Sequence, residues 1–307
     1  MTFEIVKAER KGAKVVIQFA GMSNCGKTYS SLRMARGLVG EKGKIGFIDT
    51  EQKRASLYAD CFGGFDVINL EAPFTPERYT EAIDVFKNSG YDCVIIDSMS
   101  HEWEGVGGIL DIAENQTYGN GKAMTGLSKW NIPKTRHKNM MNHMMHCGMH
   151  ILCCYRAKKP LEEKNIDGKK VMVEGPMQIC SEHKNAYDIT VSIILDEATK
   201  KPILPINRCP EGIEYLFKPD EYINEETGRG IIDWLNNKQR DKDTLIKEGA
   251  RQKDIKSWAE TLTASERSLA RKYWNDIKAL SSPAIESKPI PVKQPEENKQ
   301  PDELGDL

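Results

Sequence analysis

The chain lacks the features that mark secreted or membrane-inserted proteins. Its 307 residues contain no apolar run that approaches the roughly 20 residues needed to span a bilayer. The first twelve residues, MTFEIVKAERKG, have no apolar core of a secretory signal. The eight cysteines include no Cys-x-x-Cys pair, so we expect buried reduced thiols instead of a disulfide framework. These absences predict a cytoplasmic protein that does not act at a membrane.

The sequence also lacks an excess of charge of either sign. Lys and Arg number 44 and Asp and Glu number 45, which gives a formal net charge of -1. Nucleic-acid-binding domains are commonly basic, so this balance taken alone argues against one. The charge is unevenly distributed, however, because residues 122–170 contain eleven Lys and Arg but only three acidic residues. Such a segment is expected where a surface meets phosphates, although a solvated basic face would give the same count.

Composition divides the chain into three regions. Residues 1–235 alternate short apolar runs with amphipathic stretches, which predicts an α/β domain with a mainly parallel sheet. Residues 236–280 are charged and helical in pattern, so we expect a small helical appendage. Residues 281–307 hold five of the 14 prolines, no aromatic residue and several acidic terminal positions. That segment has too little apolar surface to fold, and we predict a disordered tail with an acidic tip.

A phosphate-binding motif lies near the N-terminus. The run Gly21-Met-Ser-Asn-Cys-Gly-Lys-Thr28 fits the pattern G-x-x-x-x-G-K-[ST] without a mismatch, between a strand pattern and a helical one. Backbone N–H groups of such a loop converge on phosphate oxygens, the Lys adds positive charge, and the Thr hydroxyl can bind Mg²⁺. We therefore predict ATP and Mg²⁺ as cofactors. The expected nucleotide-binding residues are Gly21, Ser23, Asn24, Cys25, Gly26, Lys27, Thr28 and Tyr29.

Acidic residues end two further apolar runs. Cys93-Val-Ile-Ile-Asp97 has the form of a Walker B strand, whose Asp organises Mg²⁺, so Thr28 and Asp97 are the predicted metal residues. Residues 45–48 lead into Asp49-Thr50-Glu51. A Glu at that strand edge would lie beside the phosphate loop, where it can activate or orient the attacking water. A solvent-exposed loop acid is the alternative interpretation of Glu51.

These motifs together resemble the RecA-like branch of P-loop ATPases. In that branch the phosphate loop follows the first strand and a catalytic Glu follows the second, here FIDTE ending at Glu51. A strand ending in Asp-Ser carries Walker B, here VIIDS, and the run DSMSHEWEG is similar to phage-encoded nucleotide-binding proteins related to RecA. Some of those proteins are regarded as single-strand annealing recombinases. The resemblance covers roughly residues 13–200 and implies a RecA-like α/β core.

The resemblance also implies partners and further roles. Segments 103–130 and 157–182 match the two DNA-binding loops of the RecA fold, and RecA-like ATPases commonly assemble into rings or filaments. Arg156 lies where the family places a polar γ-phosphate sensor, although the usual Gln is missing. The expected catalytic residues are therefore Glu51, Lys27 and Arg156, and Lys158 or Lys159 can reach a neighbouring subunit's nucleotide. The basic charge and the loop positions predict single-stranded DNA contacts at Lys129, Lys134, Arg136, Lys158, Lys159, Lys169 and Lys170.

The favoured function is a Mg²⁺-dependent ATPase that acts on single-stranded DNA in phage recombination or annealing. The alternative is a nucleotide-gated interaction protein, such as a helicase loader or assembly regulator, whose helical appendage would carry the contact. A single-strand-binding or replication protein is a further expected partner, through the appendage or the tail. A P-loop kinase is disfavoured because Glu51 lies where a hydrolytic water activator belongs. His143, His146, Cys147 and His150 have helical ligand spacing, but four ligands from one helix suit tetrahedral zinc poorly, and nearby methionines favour core packing.

Overall fold

A computed structural model describes most of the chain: residues 5, 7–166, 169–182, 189–210, 212–218, 220–236, 242–252, 254–260, 262 and 264–281. The chain forms two compact units, one of residues 12–232 and one of the described residues before 12 and after 232. The predicted disordered tail, apart from residue 281, lies outside the described residues. Within the described part of the chain, no helix is long and apolar enough to cross a membrane.

The first unit is built on a mostly parallel sheet. The strands of this unit are β1 (Val16–Gly21), β2 (Ile45–Asp49), β3 (Asp66–Asn69), β4 (Cys93–Asp97), β5 (His150–Lys158), β6 (Leu161–Ile166), β7 (Lys169–Glu174), β8 (Gln178–Ile179) and β9 (Val191–Ile194). Of these, β6 and β7 form a separate two-stranded antiparallel sheet. Among the described residues the sheet has seven strands, in the order β3-β2-β4-β5-β1-β9 with β8 antiparallel to the end of β5. Every residue of β1, β2 and β4 is buried, as expected for strands covered on both faces. The predicted α/β class and mainly parallel sheet are confirmed.

Helices cover the sheet and form the C-terminal region. They are α1 (Lys27–Val39), α2 (Pro76–Asn88), α3 (Ser100–Glu104), α4 (Ile109–Glu114), α5 (Asn131–His146), α6 (Glu225–Leu235), α7 (Lys242–Ala250), α8 (Ile255–Glu260), α9 (Ala264–Lys272) and α10 (Trp274–Ser281). The last four helices share a core of Leu245, Ile246, Trp258, Leu262, Ala270 and Ile277. The helical character predicted for the C-terminal region is confirmed.

The strand register brings the predicted site residues to one edge of the sheet. Asp49 at the end of β2 is paired in register with Asp97 at the end of β4. Gly21 at the end of β1 is paired with Arg156 in β5. Because parallel strands present their carboxyl ends at the same edge, ligands of open α/β sheets bind there. The fold thus gathers residues that lie up to 135 positions apart in the chain.

The histidines with helical ligand spacing have other partners. His143 in α5 bonds to the carboxylate of Asp84, at 2.9 Å between Nε2 and Oδ1, and His146 bonds to the backbone oxygen of Asn142. His150 begins β5, and its Nδ1 accepts a hydrogen bond from the Val15 N–H. Among the described residues no group of three or more His, Cys, Asp or Glu is arranged to hold a metal ion.

Gly37 permits close packing of α6 on α1. A Cβ at this position would overlap the backbone oxygen of Glu225, whose carboxylate also pairs with Arg33 on α1. We expect Gly37→Ala to lower the free energy of unfolding by about 1–3 kcal/mol, because two helix backbones must separate. Thermal denaturation measures this, with Gly119→Ala as the control, since nothing lies within 4 Å of a Cβ there. Equal melting temperatures for the two variants would contradict the packing described.

Candidate nucleotide site

The loop between β1 and α1 has the geometry of a phosphate cradle. Asn24 and Gly26 have left-handed backbones, with φ of 62° and 85°. Gly26 precedes α1 directly, and no side chain caps the first turn of the helix. The N–H groups at the start of α1 are therefore left for a ligand, and the helix dipole favours an anion there.

The side chain of Lys27 lies along the phosphate loop, and that of Thr28 meets the Asp97 carboxylate. The Lys27 Nζ donates to the backbone oxygens of Gly21, at 3.1 Å, and Met22, at 2.8 Å. The Thr28 hydroxyl donates to Oδ2 of Asp97 at 2.5 Å. A hydroxyl and a carboxylate side by side are the oxygen ligands that Mg²⁺ prefers, so this donor set fits the predicted cation.

The Asp97 carboxyl is buried between the strands. Burial raises its pKa from the ordinary value of 3.8 to about 6, against the opposing effect of the hydrogen bond from Thr28. A nearby cation would favour the ionised form of this carboxyl, because opposite charge stabilises it.

Asp49 shapes the turn that presents Glu51. Its Oδ1 accepts a hydrogen bond from the Glu51 N–H at 2.6 Å, and its Oδ2 accepts one from the Ala55 N–H at 2.8 Å. Asp49 is itself buried. No role was predicted for Asp49 from the sequence, because an acid at a strand end does not reveal that its carboxylate will bind the turn that follows.

Glu51 is held between two arginines. Its Oε1 accepts a hydrogen bond from Arg156 Nη2 at 2.6 Å, and its Oε2 accepts one from Arg54 Nη1 at 3.0 Å. Burial raises the pKa of Glu51, but the hydrogen bond and charge of Arg156 and the charge of Arg54 outweigh it, so the pKa is lowered. Its side chain is only 19% exposed. The interpretation of Glu51 as a solvent-exposed loop acid is therefore wrong, while its catalytic role stays a prediction.

A cleft of about 480 Å³ joins these groups. Gly21 and Cys25 are absent from its lining; Cys25 is fully buried beneath the loop, and burial raises the pKa of its thiol. Lys158, predicted to contact DNA, lies in this cleft. The lining residues that were predicted are Ser23, Asn24, Gly26, Lys27, Thr28, Tyr29, Glu51, Asp97, Arg156 and Lys158. Those that sequence reasoning missed include Phe47, Asp49, Arg54, Ala55, Leu57, Tyr58, Ala157 and Cys180, and Glu104 of α3 also lines the cleft.

Aromatic side chains form one side of the cleft. Tyr29 and Tyr58 both line it, with ring centroids 6.3 Å apart, and Phe62 packs edge-on against Tyr29 at 5.1 Å. Leu57 is 80% exposed beside them. An exposed aromatic and aliphatic surface next to a phosphate cradle is suited to the flat face of a nucleobase.

We expect Tyr58→Ala to weaken ATP binding by about threefold to tenfold, because the ring contact with the base is lost. The affinity for inorganic tripolyphosphate, which has no base, should stay unchanged. Titration calorimetry with both ligands measures this, and Tyr118→Ala, which removes a tyrosine outside the lining, is the control. Equal losses for ATP and tripolyphosphate would contradict a base contact.

Most of the basic side chains predicted to contact DNA are engaged in ion pairs or ring contacts. Lys134 pairs with Glu182, Arg136 with Glu77, Lys159 with Glu174, and Lys170 with Glu163. Lys129 and Lys134 also lie over the ring of Trp130, 5.5 and 5.7 Å from its centroid. Lys169 lies in β7, and its side chain is outside the described part of the structure. The basic segment therefore carries less unpaired charge than its sequence suggests.

Comparison with known proteins gives a family for this arrangement. Residues 13–226 match the family model described as AAA domain. No curated protein matches the chain at a significant level. Among solved structures, the chain is similar to a KaiC-like protein from the hyperthermophilic archaeon Pyrococcus horikoshii OT3. The identity is 13% and the TM-score 0.38, over 66% of this chain and 81% of that one.

Proposed function

This chain belongs to the AAA domain family of P-loop ATPases, and we propose that it couples Mg²⁺-dependent ATP hydrolysis to single-stranded DNA. The role in recombination or annealing that the sequence resemblance implies would be one use of this coupling. The observation that carries the proposal is the short helix α3, which contacts both the nucleotide cleft and the aromatic and basic surface around Trp130.

In the proposed reaction, each cleft residue has a role that its geometry supports. The loop N–H groups and Lys27 hold the phosphates, and Thr28 with Asp97 would hold Mg²⁺. The cation held there would supply positive charge to neutralise the phosphate oxygens. Glu51, ionised and fixed by the turn that Asp49 holds, accepts or orients the proton of the attacking water.

Arg156 has two candidate acceptors in this reaction. Its guanidinium pairs with Glu51, and it lines the cleft beside Lys27. A phosphate oxygen is an equally good acceptor for a guanidinium. Transfer of Arg156 from the carboxylate to the γ-phosphate would free Glu51 for the water, which makes Arg156 both a sensor and a restraint.

The helix α3 connects this cleft to the surface around Trp130. A 2.7 Å hydrogen bond joins Nδ1 of His101 to the Thr50 hydroxyl, next to Glu51. Glu102 is buried against His137 of α5, and both of its carboxylate oxygens lie 3.0 Å from the His137 Nδ1. Burial raises the pKa of Glu102, and the hydrogen bond from His137 opposes that shift. A displacement at Thr50 would thus pass through His101 to α3, and from α3 through the buried Glu102–His137 pair to α5.

The outer part of α3 reaches the basic surface. Trp103 stacks on Trp130, with ring planes 13° apart and centroids 6.3 Å apart. Lys129 and Lys134 flank the Trp130 ring, and Leu127 is exposed beside it. Aromatic rings with adjacent cations are the means by which proteins bind single strands, since bases stack on the rings while phosphates meet the charges.

The experiment is a binding titration of a fluorescent oligothymidylate by anisotropy at several salt concentrations, with and without ATP. We expect Trp130→Ala to weaken binding by about tenfold or more, because stacking on one base is worth about 1–3 kcal/mol, and Trp130→Phe to retain most of the affinity. The control for surface charge is Lys87→Ala, on α2 outside the basic segment. Absence of DNA binding at low salt would overturn the proposal and favour the nucleotide-gated interaction protein.

A further inference from the structure

The turn that follows β9, residues 195–201, closes against the phosphate loop at both of its glycines. The backbone oxygen of Leu195 would lie 2.9 Å from a Cβ at Gly21, and the Cβ of Lys200 would lie 3.6 Å from a Cβ at Gly26. The Leu195 N–H also donates to the backbone oxygen of Ala20 at 2.8 Å. This turn therefore packs against the phosphate loop on the β9 side.

The turn is held in one shape by Asp196. Its Oδ1 accepts hydrogen bonds from the N–H groups of Ala198, at 3.1 Å, and Thr199, at 2.7 Å, and from the Thr199 hydroxyl at 2.9 Å. The Lys200 N–H donates to the backbone oxygen of Asp196 at 3.0 Å. The Asp196 N–H donates to the backbone oxygen of Lys201 at 2.9 Å. Because the backbone is thus fixed on both sides of Lys200, the base of its side chain is fixed against Gly26.

We propose that Lys200 is a second phosphate-binding lysine, which reaches the nucleotide from the side opposite Glu51 and Arg156. Its Cβ lies against Gly26, the residue before α1, and the four-carbon stem of a lysine carries the ammonium beyond that point. The ammonium now donates to the backbone oxygen of Glu197. A phosphate oxygen is a stronger acceptor than a neutral carbonyl, because both partners are then charged.

The sheet order decides which phosphate Lys200 would meet. β1 lies between β5, which carries Arg156, and β9, which leads into the turn. Glu51 and Arg156 mark the position of the γ-phosphate in the proposed reaction, so Lys200 on the other side of β1 meets the α- or β-phosphate. Lys200 should therefore contribute equally to ATP binding and to ADP binding.

The neighbouring Lys201 provides a matched control. It has the same charge and lies one residue away, but its ammonium lies over the ring of Tyr222 at 5.6 Å. Lys200 has a left-handed backbone with φ of 61°, which Asn adopts more readily than most residues. Lys200→Asn and Lys201→Asn thus remove one charge each, and the first substitution does not add backbone strain.

The test is calorimetric titration of each variant with ATP and with ADP, after circular dichroism has established that the variants are folded. We expect Lys200→Asn to weaken both affinities about tenfold, Lys200→Arg to restore most of the loss, and Lys201→Asn to match the wild type. Unchanged affinities in Lys200→Asn, or an equal loss in Lys201→Asn, would overturn the assignment.

This inference rests on the proposed nucleotide binding, and the same titrations separate the two. If the wild type binds ATP and ADP, Lys27→Ala does not, and Lys200→Asn equals the wild type, only the role of Lys200 is wrong. If the wild type binds neither nucleotide, the proposed function fails and the role of Lys200 fails with it.

Discussion

Replacing Glu51 with Gln will lower the rate of ATP turnover by about 100-fold or more, while the affinity for ATP stays close to that of the wild type. The amide keeps the size of the side chain and a hydrogen-bond acceptor for Arg156, but it cannot take a proton from water. Steady-state phosphate release and calorimetric ATP binding together measure the two effects.

The control for this variant is Glu104→Gln, because Glu104 also lines the cleft. We expect its turnover to remain within a fewfold of the wild type. If Glu51→Gln hydrolyses ATP at the wild-type rate, Glu51 serves only to hold Arg156 and Arg54, and the hydrolytic water is activated by another group.

Replacing Lys27 with Ala will weaken ATP and ADP binding by about 100-fold or more. Its ammonium is held at the mouth of the phosphate loop by the backbone oxygens of Gly21 and Met22. Loss of that charge removes several charged hydrogen bonds to phosphate, each worth about 1.5–3 kcal/mol. Calorimetric titration measures the affinity, and the melting temperature reports whether the fold is retained.

Lys42→Ala removes an exposed lysine just beyond α1 and should leave both affinities unchanged. Retained nucleotide affinity in Lys27→Ala, with a wild-type melting temperature, would show that the loop of residues 21–28 is not the phosphate site.

The fold class and the outline of the site could be predicted because both depend on local patterns. Short runs that are apolar throughout indicate strands buried on both faces, and β1, β2 and β4 are such strands. The phosphate loop is recognised by the fixed spacing of its glycines. The acids at the ends of β2 and β4 are recognised because each directly follows an apolar run. Parallel pairing of β2 and β4 then places Asp49 in register with Asp97.

Other parts of the site depend on contacts that no local pattern reveals. The turn at Lys200 meets Gly26 only because β9 pairs with β1. Tyr58 lies in the cleft because the chain turns back after Glu51 around the Asp49 carboxylate. Neither contact can be derived from residues that are near each other in the sequence.

The charge count of residues 122–170 overstates the unpaired basic charge of that segment. It includes Lys134, Arg136, Lys159 and Lys170, whose acidic partners come from other elements or the facing strand. Exposed pairs of this kind contribute little to stability and can exchange for phosphate, so they do not exclude DNA contact. The surface around Trp130 is the stronger candidate for DNA contact, because it combines aromatic rings, basic side chains and a connection to the nucleotide cleft.

The most direct test of coupling is the steady-state rate of ATP hydrolysis, measured at one salt concentration with and without single-stranded DNA. We predict that the DNA raises the turnover of the wild type several-fold, and that Trp130→Ala, which leaves the nucleotide cleft intact, removes the stimulation but keeps the basal rate. A protein that binds and hydrolyses ATP at the same rate whether or not single-stranded DNA is present would contradict the proposed coupling.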